Sequence, residues 1–92
     1  MPSFHITKKA LRQLEELDNK QYNQLAGAIL RLTKNAAPHD SRPLHGASNG
    51  ERRLDAGEYR IVYSVEDLVI QILLVGKRND GEIYKQFDRM NQ

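Results

Sequence analysis

The stretch RLDAGEYRIVYSVEDLVIQILLV, residues 53–75, decides the fold class of this chain of 92 residues. Apolar and polar side chains alternate over its first half, which is the two-residue period of a strand with one buried face. From Leu68 to Val75 the sequence is almost continuously apolar and rich in β-branched residues, as in a central strand covered on both faces. Ala56-Gly57 and Glu66-Asp67 separate the segments as short turns, so the stretch predicts an antiparallel meander of three strands.

The middle strand of this meander, from Glu58 to Val65, has two different faces. One face is predicted to carry Tyr59, Ile61, Tyr63 and Val65. The other is predicted to carry Arg60, Val62 and Ser64. The first face is the more apolar and is expected to lie on the core, whereas the face with Arg60 is expected to be left more open.

Two amphipathic helices precede the meander. Phe4-His5-Ile6 predicts a short opening strand, and Thr7 is placed to cap a helix that starts at Lys8. Asp18 and Gln21 have the spacing of a capping box at the start of a second helix. The apolar stripe of that second helix is predicted to hold Tyr22, Leu25, Ala26, Ile29, Leu30 and Thr33. Because the connection between the helices is so short, they should form an antiparallel hairpin on one face of the sheet.

The remaining segments complete the predicted architecture. Asn35 to Gly50 is rich in Pro, Gly, Asp, Ser and Asn and is predicted to be a loop, whereas Ile83 to Met90 is predicted to form a short closing helix. The chain is therefore expected to be a single α+β domain, residues 1–92, in which a helix hairpin packs on a small antiparallel sheet.

Composition excludes several classes of protein. The chain is 39% hydrophobic and 28% charged, as in an ordinary globular domain, and it has no cysteine, which excludes disulfides, zinc thiolates and a thiol nucleophile. The N-terminus lacks the layout of a signal peptide, and no apolar run approaches the ~20 residues of a membrane helix, so a cytoplasmic protein is expected. The net charge of +2 is too small to predict a nucleic-acid partner by itself.

Arginines are the candidate functional residues. Arg53 and Arg60 lie on neighbouring predicted strands, and Lys77 and Arg78 follow the last strand. An arginine in the middle of an apolar strand requires a partner, which a salt bridge to Glu58 or Glu51 would supply. A cluster of several arginines is explained better by phosphate binding, because guanidinium groups bind phosphate through two parallel hydrogen bonds.

Three segments carry a resemblance to a known family. Residues 53–63 resemble the strand-turn-strand signature of the RelE/ParE toxin superfamily. Val75-Gly76-Lys77-Arg78, followed by Ile83-Tyr84, is similar to the C-terminal signature of its RelE branch. Pro43-Leu44-His45-Gly46 resembles the loop that these toxins carry before this region. The order and spacing match over nearly the whole chain, and the chain is identified as a RelE-type toxin.

The resemblance implies a ribosome-dependent endoribonuclease that cleaves messenger RNA in the ribosomal A site and is paired with an antitoxin. In this family the ribose 2′-hydroxyl attacks the adjacent phosphate without a metal or other cofactor. Arg60 would stabilise the transition state, Arg78 would do the same or help protonate the leaving oxygen, and Tyr84 would orient the hydroxyl or stack on a base. Arg53 occupies a position that is often basic in the family. The expected RNA contacts are Lys77, Arg52 and His45, although His45 is equally explained as a loop residue.

The sequence also departs from the family pattern. The family member best understood in mechanism has two lysines where Glu51 and Arg53 stand here, and Asp55 occupies a position that is basic in many relatives. Arginine is a poor general base, so Glu51 is a candidate base, with an ion pair as its structural alternative. Two other functions stay open: a ParE-like toxin that poisons DNA gyrase without catalysis, and a weakened toxin that serves as a binding partner.

Overall fold

A computed structural model describes residues 3–47, 49–79 and 81–90. Within these residues the elements in chain order are β1 Ser3–Ile6, α1 Lys8–Glu15, α2 Asn19–Lys34, β2 Ser41–Pro43, β3 Arg52–Ala56, β4 Tyr59–Glu66, β5 Val69–Lys77 and α3 Glu82–Met90. Ser48 and Asp80, which the sequence placed in polar connections, lie outside the described residues. None of the described helices has the length and apolar character needed to cross a membrane.

The five strands form one sheet in the order β1-β5-β4-β3-β2. The antiparallel meander of β3, β4 and β5 and the α+β class are confirmed. The prediction of a wholly antiparallel sheet is wrong, because β1 pairs with β5 in parallel and the sheet is mixed. The apolar strand β5 needs a neighbour on each edge, and β1 fills the edge that β4 leaves open.

A short strand lies in the segment that was predicted to be entirely loop. β2 pairs with β3 in antiparallel fashion, with Ser41 opposite Leu54 and Pro43 opposite Arg52. Its three residues are too few to show an alternating pattern, and proline usually argues against a strand. Pro43 is tolerated because β2 is the last strand at the edge of the sheet.

Both turns of the meander lie one residue later than predicted. Gly57 and Glu58 connect β3 to β4, and Gly57 has a φ of 62°, which glycine adopts without steric cost. Asp67 and Leu68 connect β4 to β5 with φ values of 51° and 67°. The later position of the first turn determines which side chains face each other across the hairpin.

Both helices of the hairpin begin where the sequence predicts, but the buried face of α2 differs from the predicted one. The Thr7 hydroxyl accepts a hydrogen bond from the Ala10 backbone N–H, and the Asp18 carboxylate accepts one from that of Gln21. The buried residues of α2 are Leu25, Ala28, Ile29 and Leu32. Tyr22 and Leu30, which were predicted to lie on the core, are 43% and 56% exposed.

The main core lies between the helix hairpin and one face of the sheet. Its largest fully buried side chain is Tyr63, whose hydroxyl donates a hydrogen bond of 2.7 Å to the backbone carbonyl of Ala36. Tyr63 therefore ties β4 to the segment that follows α2.

Tyr63→Phe should lower the free energy of unfolding by about 1–2 kcal/mol, because it removes a buried hydrogen bond and leaves the Ala36 carbonyl without this donor. Urea unfolding followed by circular dichroism measures the change. Tyr59→Phe is the matched control, since the Tyr59 hydroxyl makes a longer hydrogen bond of 3.3 Å to Gln21 on the same face. An equal or larger loss in the control would contradict this account.

A second, smaller core lies on the opposite face of the sheet. The predicted closing helix is confirmed as α3, which packs on β5 and shares a core with Val62 of β4. The buried residues of this second core are Leu44, Val62, Leu74, Ile83 and Phe87. The expectation that this face is left open is therefore wrong over the area that α3 covers. The uncovered remainder, beside the first turn of α3, carries Arg60.

Candidate active site

Arg60 lies where the β3–β4 hairpin meets the N-terminal end of α3. The strand register places Asp55 directly opposite Arg60. Arg60 Nε donates to Asp55 Oδ1 at 2.7 Å, and Arg60 Nη2 donates to Asp55 Oδ2 at 3.3 Å. The Arg60 side chain is only 12% exposed, so this two-bond ion pair is better shielded than an ordinary surface pair.

This ion pair corrects the partner predicted for Arg60. The sequence offered Glu58 or Glu51 as the partner, and a turn at Ala56-Gly57 would leave Asp55 opposite Glu58 and away from Arg60. With the turn one residue later, Asp55 faces Arg60. Asp55 is therefore a site residue that the sequence did not identify, although the alternation of Arg53 and Asp55 on one face of the strand was a usable signal.

The third nitrogen of the Arg60 guanidinium contacts α3. Arg60 Nη1 donates to the Tyr84 hydroxyl at 2.8 Å, and the guanidinium carbon lies 5.8 Å from the centroid of the Tyr84 ring. Gly76, opposite Arg60 on β5, lies against α3: a Cβ on Gly76 would be in ordinary van der Waals contact with Ile83, at 3.4 Å. All three Arg60 nitrogens are thus held by the fold.

Two further arginines surround the Asp55 carboxylate. Arg53, two residues before Asp55 on β3, places Nη1 3.7 Å from Asp55 Oδ2. Arg78 is exposed just after β5, and its backbone N–H donates to the carbonyl of Glu58 at 3.0 Å. The hydrogen bond from Arg60 chiefly holds the pKa of Asp55 below its ordinary value, and the charges of Arg60, Arg53 and Arg78 lower it further against the effect of burial. We call Arg53, Asp55, Arg60, Arg78 and Tyr84 the arginine cluster.

Asp55→Asn should destabilise the protein more near neutral pH than near pH 2. Because Arg60 lowers the pKa of Asp55 in the folded state, the carboxylate contributes stability that is fully present above its ordinary pKa of 3.8. That contribution disappears as the pH falls below 3.8 and through the lowered pKa. Urea unfolding of the wild type and of Asp55→Asn at each pH measures the difference in their free energies of unfolding. A difference of equal size near neutral pH and near pH 2 would contradict the stabilising role of the Asp55 carboxylate.

Other predicted site residues lie away from the arginine cluster. Arg52 faces the helix hairpin, opposite Tyr63, and donates from Nη2 to the Ser41 hydroxyl at 2.8 Å. Lys77 pairs with Tyr59 on that same face and is exposed. His45 lies in an exposed turn after β2. The structure does not bring these three residues to Arg60.

Glu51 is also separated from the arginine cluster. It is 5% exposed, and its Oε1 accepts a hydrogen bond of 2.9 Å from the backbone N–H of Asn49. It lines a pocket with Ser64, Phe87 and Met90. Ser64 lies four residues along β4 from Arg60, or about 13 Å at ~3.3 Å per residue. Glu51 thus supports its loop under the C-terminal half of α3 and does not contact Arg60.

A comparison with protein families identifies the chain. Residues 4–81 match the family described as the ParE toxin of type II toxin–antitoxin systems, parDE. The chain belongs to this toxin family. The match includes Arg53, Asp55, Arg60 and Arg78 but ends before Tyr84. The predicted membership of the RelE/ParE superfamily is confirmed.

Solved structures of RelE-type toxins share the fold. The toxin is 28% identical to RelE in the archaeal RelE–RelB complex from Pyrococcus horikoshii, with a TM-score of 0.74, covering 85% of this chain and 97% of the other. The isolated RelE toxin of E. coli matches over 100% of both chains at 20% identity and a TM-score of 0.73. The YoeB dimer from Staphylococcus aureus matches at 18% identity and a TM-score of 0.70, covering 83% and 95%. No curated protein sequence matches the toxin.

Proposed function

We propose that the toxin is a ribosome-dependent endoribonuclease that cleaves messenger RNA in the ribosomal A site by attack of a ribose 2′-hydroxyl. One observation carries the proposal: the half-buried guanidinium of Arg60 contacts Tyr84, with Arg53 and Arg78 nearby. A fixed guanidinium that shares its surroundings with two further arginines is suited to a phosphodiester that gains negative charge.

Each residue of the arginine cluster has a role that its position supports. Arg60 is held in one orientation by the fold, so it stabilises the phosphorane without rearranging first. Tyr84 is partly buried against the second core and holds its hydroxyl beside Arg60, where it orients the attacking nucleotide or stacks on its base. Arg53 and Arg78 add positive charge near the pair of Asp55 and Arg60. Cleavage leaves a 2′,3′-cyclic phosphate and a 5′-hydroxyl.

A second function also has support. The matching family model is described as the ParE toxin. The resemblance to that branch implies a protein that poisons DNA gyrase by binding alone. The contact between Arg60 and Tyr84 favours the nuclease, because a binding surface does not require a phenol held against a shielded guanidinium.

Expression in bacteria distinguishes the two functions. RNA ends and gyrase-linked DNA breaks should be mapped in parallel for the wild type, Arg60→Ala and Arg78→Ala. Arg31→Ala, which removes an exposed arginine paired with Asp40 at 3.8 Å on the other side of the molecule, is the matched control. Codon-phased RNA cuts that disappear only in the two site variants support the nuclease. Gyrase-linked breaks with intact messages support the alternative.

We further propose that a cognate antitoxin binds this toxin in the cytoplasm. Two matched crystal structures, from P. horikoshii and E. coli, contain RelE together with RelB. A short reading frame directly beside the toxin gene, whose product binds the purified toxin and prevents the RNA cuts, is the expected finding. If no product of a neighbouring reading frame neutralises the toxin, the proposal of a cognate antitoxin is contradicted.

A further inference from the structure

The proposed reaction needs a proton acceptor for the 2′-hydroxyl, and most of the arginine cluster does not provide one. Arginine keeps its proton at all physiological pH values, and a phenol carries its proton near neutral pH. Glu51, the base considered from the sequence, is buried under α3 and bound to the Asn49 backbone. Within the arginine cluster, Asp55 is the residue that carries a carboxylate, and this carboxylate contacts Arg60.

We propose that Asp55 is the general base, and that its carboxylate takes the 2′-hydroxyl proton of the nucleotide whose phosphate Arg60 binds. This inference rests on the proposed nuclease function. Asp55 contacts Arg60 through both oxygens, at 2.7 and 3.3 Å, so a phosphate bound to this arginine lies beside the carboxylate. The 2′-oxygen must approach the phosphorus to about 3–3.5 Å before attack, which places it next to the same carboxylate.

The Asp55 carboxylate is accessible and has free acceptor capacity. Its side chain is 32% exposed, compared with 12% for Arg60, so a ribose can reach the carboxylate from solvent. A carboxylate has roughly four lone-pair sites, and the two hydrogen bonds from Arg60 occupy two of them. The remaining sites can accept a hydrogen bond from a 2′-hydroxyl without first breaking the ion pair.

Substrate binding makes Asp55 a better base. In the free protein the hydrogen bond from Arg60 and the neighbouring arginine charges lower the pKa of Asp55. A bound phosphodiester brings a negative charge beside the carboxylate and competes for the Arg60 donors. Both effects raise the pKa of Asp55, since they disfavour its charged form. Basicity therefore increases when RNA is in place.

The proton transfer also changes what Arg60 binds. The 2′-O–H bond breaks, its proton passes to Asp55, and the 2′-oxygen forms a bond to phosphorus. As Asp55 becomes neutral, its hydrogen bonds from Arg60 Nε and Nη2 weaken, so the Arg60 guanidinium interacts more strongly with the phosphorane, which is gaining negative charge. The bond from phosphorus to the 5′-oxygen then breaks, and that oxygen takes a proton from solvent water. Asp55 returns its proton to solvent to complete the cycle.

The test is single-turnover cleavage on ribosomes programmed with a defined message, with wild type, Asp55→Asn and Asp55→Glu. Asp55→Asn should cleave about 100-fold more slowly or worse, which is the usual size of general-base catalysis. Its binding to ribosomes whose A-site codon is blocked by 2′-O-methyl groups should be as tight as that of the wild type or tighter, because a negative charge has been removed. Asp55→Glu should recover part of the rate. Circular dichroism checks that each variant is folded.

The matched control is Asp40→Asn, which removes an exposed carboxylate paired with Arg31 and should leave the rate unchanged. Cleavage by Asp55→Asn as fast as the wild type, or a loss of binding that accounts for the whole loss of rate, would overturn the role of Asp55. If the wild type leaves the message intact, the proposed nuclease function fails and the role of Asp55 fails with it. If the wild type cleaves and Asp55→Asn cleaves equally well, only the role of Asp55 fails.

Discussion

Arg60→Ala should lower the single-turnover rate of A-site cleavage by about 100- to 1000-fold, the usual cost of removing a fixed group that stabilises transition-state charge. Arg60 is suited to this role because Asp55 and Tyr84 hold its guanidinium from two sides. Binding of the toxin to ribosomes should change much less than the rate, since Arg53 and Arg78 remain.

Arg60→Lys separates charge from geometry. A lysine keeps the positive charge but replaces the planar, multiple-donor guanidinium by a single ammonium, which cannot hold Asp55, Tyr84 and a phosphate in one plane. It should therefore recover little of the lost rate. Arg31→Ala, at the exposed pair with Asp40, should cleave like the wild type. An Arg60→Ala protein that cuts at the wild-type rate would remove the basis of the assignment.

Phe87→Ala should lower the free energy of unfolding by about 3–5 kcal/mol, the usual cost of removing a buried phenylalanine. Phe87 is 3% exposed and packs in the second core with Val62, Leu74 and Ile83. Because this core holds α3 on the sheet, the same substitution should release Tyr84 from Arg60 and reduce cleavage, although Phe87 is not part of the arginine cluster. Urea unfolding and single-turnover cleavage measure the two effects.

The control for this prediction lies on the same helix. Met90 is 42% exposed, so Met90→Ala shortens a side chain near the end of α3 with little loss of buried area. It should leave stability and cleavage close to those of the wild type. Equal losses in Met90→Ala and Phe87→Ala would show that the second core does not hold the helix in place.

The fold class, the meander and the helix hairpin could be predicted from local patterns. Strand alternation, helical spacing and the caps at Thr7 and Asp18 depend on neighbouring residues, and the structure has each of them. The parallel pairing of β1 with β5 could not be predicted in this way, because it joins segments more than sixty residues apart. The edge strand β2 was missed because three residues that include Pro43 carry no periodic signal.

The candidate active site was only partly predictable, because its contacts depend on strand register and helix packing that local sequence patterns do not show. Arg60 and Tyr84 were identified from the family resemblance, and the structure places them in contact. Asp55 was noted only as a departure from the family, because many relatives have a basic residue there. Its contact with Arg60 was missed because the turn was placed one residue too early, and such a shift changes every cross-strand partner. Glu51 lies on the same face of the sheet, but α3 covers its position, and that packing is not visible in the strand pattern.

The most direct measurement of the central claim is cleavage by the purified toxin on ribosomes whose message carries one 2′-deoxynucleotide in the A-site codon. If the arginine cluster binds an RNA phosphodiester for attack by the adjacent 2′-hydroxyl, the all-RNA codon is cut to a 2′,3′-cyclic phosphate. In the message that carries the deoxynucleotide, the phosphodiester bond that follows this nucleotide stays intact. Cleavage after the deoxynucleotide at the rate of the all-RNA codon, or no cleavage of either message, would contradict the account.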